Sequence, residues 1–310
     1  MPHILSLNSM PLKTTKKISL LLPTRKRVER ANAFLKSVVD TAACLEKIEV
    51  VAAVDDDDQE SQALVSPHAK LLLRKAIGPR ARMGELNTRC LREAKGDIIM
   101  LVNDDILIRS KDWDTHLRDA DQLFSDGIYL FHVKDGFKNE KFPIFPILSK
   151  RFCDLIQDPY PAEFGGDGND THLYDIFLRL QDLGHERIIY LPDVFFEHMH
   201  YKLGKAENDA VYQSRCHLDG NKTFYNLWRY RESQVARIAA FINGDELTKI
   251  SKESPNLNSF SQIFSCSLSS KQSLSYRMSY LAYHTAREIY LSLGLNRIKT
   301  WINILRNRKG

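Results

Sequence analysis

The chain has 310 residues, a net charge of +5, 43% hydrophobic and 27% charged residues, proportions that suit a globular α/β protein of one large domain with an appendage or of two domains. No apolar run reaches the roughly 18 residues that a membrane span needs, and the first residues lack the basic and long apolar regions of a signal peptide. The mild basicity selects no partner class by itself, and no aromatic–basic motif points to nucleic acid.

Five scattered cysteines (Cys44, Cys90, Cys153, Cys216, Cys266) form no CxxC pair and no zinc-type cluster with histidine. That usage predicts reduced thiols and a cytoplasmic location.

In chain order, residues 1–16 read as a flexible lead-in. An apolar strand at 17–25 is stopped by Pro23 and followed by Thr24 and Arg25. Val28, Ala31, Phe34, Leu35, Val38, Val39 and Ala42 recur at helical spacing over 28–45. A second strand at 48–54 ends in Asp55-Asp56-Asp57-Asp58. Strand, helix, strand at this spacing is a βαβ unit and implies parallel pairing. A third strand is expected at 69–75, then a basic loop at 77–84 holding Arg80, Arg82 and Gly84, then a helix over 85–94.

Gly96-Asp97-Ile98-Ile99-Met100-Leu101-Val102 reads as a central strand buried on both faces, closed by Asn103-Asp104-Asp105. Two carboxylates just beyond a dry strand repel each other unless a cation or partner neutralises them. Hard oxygen ligands at the carboxyl rim of a parallel sheet suit Mg²⁺ or Mn²⁺ shared with a phosphate. The competing reading is a turn that merely closes the strand.

A second half follows: a helix over 111–124, a strand at 128–133, an extended Pro-broken stretch at 141–148 and a short helix at 150–156. A glycine-rich acidic loop, Phe164 to Asp170, feeds a helix over 171–183 that Gly184 ends. Strands are expected at 187–191 and 194–200, the second carrying His198 and His200. Helices are expected within 211–241, a polar linker over 251–275, and a basic helix pair over 276–308.

Four groups of residues can therefore meet: Asp55–Asp58, Asn103–Asp105, Asp167–Asp170 and His198 with His200. The first two share a rim because both end strands of alternating βα units. Singly, each has a plain structural reading: a solvated acidic turn, a helix N-cap, or core histidines.

The series 20–25 (LLLPTR), 51–57 (VAAVDDD), 96–105 (GDIIMLVNDD), Asn169-Asp170 before a helix, and a strand-end histidine resembles the family 2 glycosyltransferases over about residues 17–205. The resemblance implies a GT-A fold: a mostly parallel central sheet flanked by helices, with a nucleotide-binding half (17–110) and an acceptor half (111–205). A helical segment (206–250), the polar linker (251–275) and a basic helical tail (276–310) would extend it.

It also implies inverting, metal-dependent transfer from a nucleotide-diphospho-sugar, a UDP-sugar first, to a glycan or lipid-linked acceptor, as in polysaccharide biosynthesis. By position, Pro23, Thr24, Arg25, Asp55, Arg80, Arg82, Gly84, Asn103 and Asp104 would bind the nucleotide-sugar. Asp105 with His198 or His200 would meet Mn²⁺ or Mg²⁺. Asp170 would be the general base, with Asp167 second in line. Asn103 and Asn169 stand where the family often has acids.

Two other readings are a nucleotidyltransferase-like enzyme and an inactive sugar- or nucleotide-binding relative. The first would normally show a glycine-rich phosphate loop after the opening strand, where this chain has Pro23-Thr24-Arg25. The basic tail over 276–310 suggests a peripheral contact with an anionic membrane on its cytoplasmic face.

Overall fold

The aliphatic runs become strands in the computed structural model, which describes residues 16–209, 212, 217–252, 259–269 and 273–295. The strands are β1 Ile18–Pro23, β2 Ile48–Asp55, β3 Leu72–Gly78, β4 Ile98–Leu101, β5 Ile106–Ile108, β6 Leu130–Lys134, β7 Ile147–Ser149 and β8 Ile188–His198. They form one sheet in the order β3-β2-β1-β4-β7-β6-β8-β5. β3, β2, β1 and β4 pair in parallel, as do β6 and β8. β7 runs antiparallel between β4 and β6, and β5 runs antiparallel on β8. All residues of β1, β2 and β4 are buried, as expected of strands covered on both faces.

The helices are α1 Val28–Thr41, α2 Gln59–Gln62, α3 Met83–Glu93, α4 Trp113–Asp121, α5 Lys150–Ile156, α6 Asn169–Asp182, α7 His217–Asn226, α8 Trp228–Asn243, α9 Ser259–Ser269 and α10 Leu274–Ser292. Side chains alternate along each strand, so β1 feeds two cores. Leu20 and Leu22 meet Phe34 and Val38 of α1 and Trp113 of α4. Leu21 points the other way, into a core with Cys90 of α3, Phe152 of α5, Ile176 of α6 and Ile238 of α8.

Several boundaries differ from the sequence expectation. β3 is displaced three residues towards the C-terminus and is largely exposed, because it is the sheet edge and buries little. The two strands expected at 187–191 and 194–200 are one strand, β8. Its ladder to β6 skips from Leu191 to Phe195, and Pro192, which has no N–H to donate, falls in that gap. β5 was not expected; three residues beside a turn carry too little pattern to read.

The segment expected as a polar linker holds α9, whose Ile263 and Cys266 pack with Phe224, Trp228 and Tyr280. Serines between those apolar positions disguise the helical spacing. The lead-in up to residue 15 and the expected helix at 298–305 lie outside the described residues.

Charge also docks α8 onto α6. Asp175 Oδ2 accepts from Arg179 Nε at 2.7 Å and from Arg231 Nε at 2.7 Å, all three side chains being buried. Cys44, Cys90, Cys153 and Cys266 are free thiols; Cys216 lies outside the described residues. Among the described residues, no helix is long and apolar enough to cross a membrane.

Candidate active site

The carboxyl ends of β1, β2 and β4 share one rim, and polar groups stitch them together. Pro23 ends β1, and the next residue, Thr24, donates its N–H to Ala53 O at 3.1 Å and its hydroxyl to Asp104 Oδ2 at 3.0 Å. Arg25 turns outward, donating to Asp55 at 2.9 Å and to both oxygens of Asp57. These two carboxylates raise the Arg25 pKa, Asp57 being the stronger influence, and burial only partly opposes them.

The acidic run of 55–58 thus separates into different roles. Asp58 is structural: it accepts from Ser61 N at the start of α2 and from Lys26 N at 2.7 Å. Asp57 is exposed and paired with Arg25. Asp55 is 2% exposed, and its Oδ1 is buried without a hydrogen-bond partner among the described residues. A buried acceptor left unmade costs free energy until a donor arrives.

At the end of β4, Asp104 receives Arg27 Nη1 at 3.1 Å. Burial pushes its carboxyl up to about 6; Arg27 pulls it down and the charge of Asp105 adds to the rise. Asp105 is held from two sides. His198 Nε2 lies 3.2 Å from its Oδ2, and the Tyr212 hydroxyl donates to the same oxygen. The sheet explains the first contact: β5 pairs with β8 with Ile106 opposite His198, so the residue before Ile106 comes beside that histidine. Met199 N donates to Asp105 O at 2.7 Å and closes the same corner.

A cleft of about 220 Å³ opens below this rim. Asn103, Asp167, Asn169, Asp170, His198 and His200 line it, with Met83 and Asn87 of α3 and with Phe137 and Lys138 opposite. Asp135 sets that opposite wall, accepting from the backbone N–H groups of Phe137 and Lys138.

Asn169 and Asp170 form the first turn of α6, not the preceding loop as expected from sequence. Burial raises the Asp170 carboxyl to about 6. The N–H of Thr171, donated at 2.7 Å, opposes that rise, Asp167 reinforces it, and the Arg287 cation pulls it back. Asn169 is 5% exposed, and neither its amide nitrogen nor its amide oxygen has a partner among the described residues.

Of the other expected residues, Arg80 and Arg82 are exposed on the loop before α3. Arg82 donates to Glu163 O at 3.3 Å, and Arg80 lies close enough to Asp57 to lower its pKa, a lesser effect than Arg25's. Gly84 does not line the cleft. A Cβ there would lie 1.9 Å from Pro161 O, so this glycine lets α3 touch the 161–165 segment, where Gly84 N donates to Phe164 O at 3.0 Å. Asp105, His198 and His200 do not close into a three-ligand set, and no group of three His, Cys, Asp or Glu does so among the described residues.

Sequence reading passed over Arg27, Asp209 and Tyr212. Arg27 donates to Asp209 through Nε at 2.9 Å and Nη2 at 2.6 Å, and its guanidinium lies 4.3 Å from the Tyr212 ring centre. The basic run Arg25-Lys26-Arg27 directly after β1 was a usable signal for Arg27. Asp209 and Tyr212 lie more than 180 residues further on and carried none.

No family model matches the chain, and no curated protein does. Solved structures do share its fold. The structure of Staphylococcus aureus TarS 1–349 in complex with UDP aligns with a TM-score of 0.55 at 18% identity, covering 94% of this chain and 79% of that one. A longer S. aureus TarS structure aligns with a TM-score of 0.50 at 16% identity over 73% of this chain; the match spans only 43% of TarS. The mannosyltransferase PcManGT from Pyrobaculum calidifontis, in complex with GDP-Man and Mn²⁺, aligns with a TM-score of 0.50 at 13% identity, covering 96% of this chain and 83% of that one. The fold is the GT-A fold that these structures share.

Proposed function

We propose that the chain is a metal-dependent inverting glycosyltransferase, moving a sugar from a nucleotide-diphospho-sugar to a hydroxyl of a glycan or lipid-linked acceptor. One observation carries the reading. Asn103, Asp170 and His198 face a single cleft on the carboxyl rim of a GT-A sheet, and Asp105 is bonded to that histidine. A UDP-sugar is the donor expected first; TarS 1–349 was crystallised with UDP and PcManGT with GDP-Man.

In this reading, Asp55 offers to the nucleotide base its Oδ1, which has no partner among the described residues, and Pro23, Thr24 and Arg25, outside the lining of the cleft, flank the nucleotide on the same rim. Arg80 and Arg82, exposed at the loop, meet the phosphates. Gly84 keeps only its packing role. Asn103 donates to a ribose hydroxyl, and Asp104 holds the rim through Thr24 and Arg27.

The residues present fit Mn²⁺ or Mg²⁺. Asp105 and His198 lie side by side, and His198 Nδ1 is buried without a hydrogen-bond partner among the described residues. One carboxylate and one imidazole suffice where substrate phosphates supply further ligands. His200 stands as an outer neighbour, its ring centre 4.9 Å from that of His198. A bound ion would neutralise charge on the departing diphosphate.

Asp170, ionised above about pH 6, accepts the proton of the attacking hydroxyl. A single base with no covalent intermediate gives inversion. Asp167 lies on the same side of the cleft as a second carboxylate. The amide of Asn169, with a donor and an acceptor both unmade, is matched to a sugar hydroxyl in the cleft.

The basic tail over 276–310 supplies a peripheral contact with an anionic membrane on its cytoplasmic face, where a lipid-linked acceptor lies, and α9, which packs with Tyr280 of that tail, adds an apolar stripe. Phe260, Phe264 and Leu268, 50%, 54% and 55% exposed, recur every four residues along one face of α9. Large apolar side chains repeated along one exposed helix face mark an interaction surface.

The first test is titration calorimetry of UDP, GDP and dTDP with and without Mn²⁺, on the wild type and on Asp105→Ala. Metal-dependent binding of one nucleotide, lost in Asp105→Ala, is expected. A folded wild-type chain that binds none of the three would overturn the reading.

A further inference from the structure

The helices beyond the sheet do more than cover it. Asp170 lines a second, smaller cavity of about 120 Å³ behind the cleft. Its other walls are Asp167, Gly168 and Thr171 around the start of α6, Gly220 and Phe224 of α7, and Arg287 of α10. We infer that Arg287 is a positioning residue for Asp170, through which the C-terminal helices become part of the active site. The inference rests on the proposed transfer reaction for its consequence in turnover, and on geometry alone for the placement of Arg287 on the same cavity wall.

Packing places Arg287 there. Tyr280, His284, Glu288 and Leu291 share one buried face of α10, spaced by three or four residues. The His284 ring stacks on Phe224 at 5.0 Å and lies 4.2 Å from the Tyr280 ring, which locks the rotation of the helix. Arg287 sits one turn on from His284 and is half-buried. Burial takes His284 down to about 3, so it stays neutral, and Arg287 is the cation that this face brings to Asp170.

Arg287 makes no hydrogen bond or ion pair with any described residue, Asp170 included, so it acts on Asp170 as a charge across the shared cavity, and no other carboxylate among the described residues holds it. α7 is shaped to allow the approach. A Cβ on Gly220 would lie 2.1 Å from Asp167 Oδ1, so a larger residue would displace that carboxylate from the cavity wall.

The charges facing Asp170 are few. Asp167 stands beside it on the segment before α6, and Arg287 on α10; Lys138, His198 and His200 line the far side of the cleft. An arginine close to a desolvated carboxyl favours its ionised, proton-accepting form. Removing the cation leaves burial and Asp167, which favour protonation, opposed only by the hydrogen bonds from Thr171.

The test uses the full chain as wild type, Arg287→Gln and Arg287→Lys. The Asp170 carboxyl is followed by carbon NMR of ¹³Cγ-Asp-labelled protein, assigned with Asp170→Asn, and turnover is measured from pH 5 to 8.5. In Arg287→Gln the Asp170 titration is expected to move to higher pH and the acidic limb of kcat with it. Turnover should fall about fivefold at pH 6 and little at pH 8. Nucleoside-diphosphate affinity should not change, and Arg287→Lys should restore most of the wild-type profile. An unmoved Asp170 titration in Arg287→Gln, or a loss equal at every pH, would overturn the inference. A moved titration in a chain that transfers no sugar would instead sink the transferase reading and leave the influence of Arg287 on Asp170 standing.

Discussion

Arg27 Nη1 donates to Asp104 Oδ1 at 3.1 Å, joining the turn after β1 to the turn after β4, with both side chains nearly buried. Removing one partner of a buried pair strands the other charge. Arg27→Met is therefore expected to destabilise the fold by about 3–5 kcal/mol. Asp57→Asn, which removes the exposed partner of Arg25 and leaves Arg25 its bond to Asp55, should cost far less. Urea unfolding of both variants checks the order; equal costs would mean that burial of the Arg27 pair does not decide its worth.

Asp170 is raised to about 6, first by burial. A base must be ionised to accept a proton, so turnover should rise with pH through about 6 and then level. Asp170→Asn should keep nucleotide binding and lose about 10²–10⁴-fold in kcat. A kcat–pH profile and binding calorimetry read the two halves separately. A variant that turns over normally would remove Asp170 as base.

Asn169 carries a buried amide with no partner among the described residues, so its removal should separate stability from function. Asn169→Ala deletes an unsatisfied group and should leave thermal stability unchanged or higher. The same variant should lower kcat/KM about tenfold or more, because a sugar hydroxyl loses its contact. A loss of melting temperature with normal kinetics would show the amide to be structural.

Gly84 meets backbone, not a flexible side chain, at the point where α3 touches Pro161. Backbone cannot swing aside, so Gly84→Ala should destabilise by about 1–3 kcal/mol or more, although alanine favours helices. Thermal melts of this variant beside an alanine placed at an exposed α3 position such as Glu85 give the contrast.

The exposed stripe on α9 gives a membrane prediction. Changing Phe260, Phe264 and Leu268 together to serine should lower co-sedimentation with anionic liposomes while leaving nucleotide binding intact. Equal sedimentation of variant and wild type would dismiss α9 as the contact.

What the sequence determined by itself is local. The dry runs that became β1, β2 and β4 were legible because strands buried on both faces are mostly apolar, Ser19 and Glu49 being buried exceptions. Asp55 and Asn103–Asp105 were legible because parallel strands must present their following residues on one rim. Helix α1 showed in its spacing of apolar residues, and Gly184 in its position after α6.

Only the tertiary structure decided which members of the acidic run do what. Asp58 is consumed by the N–H groups of Lys26 and Ser61, while Asp55 keeps an oxygen with no partner among the described residues. It also brought His198 to Asp105 through the antiparallel β5–β8 pair, a register that three residues cannot announce. Arg27 with Asp209, Tyr212 with Asp105, and Arg287 near Asp170 join positions more than 100 residues apart. Such partnerships leave no periodic trace, because they depend on how whole helices and strands pack and not on the spacing of residues along the chain.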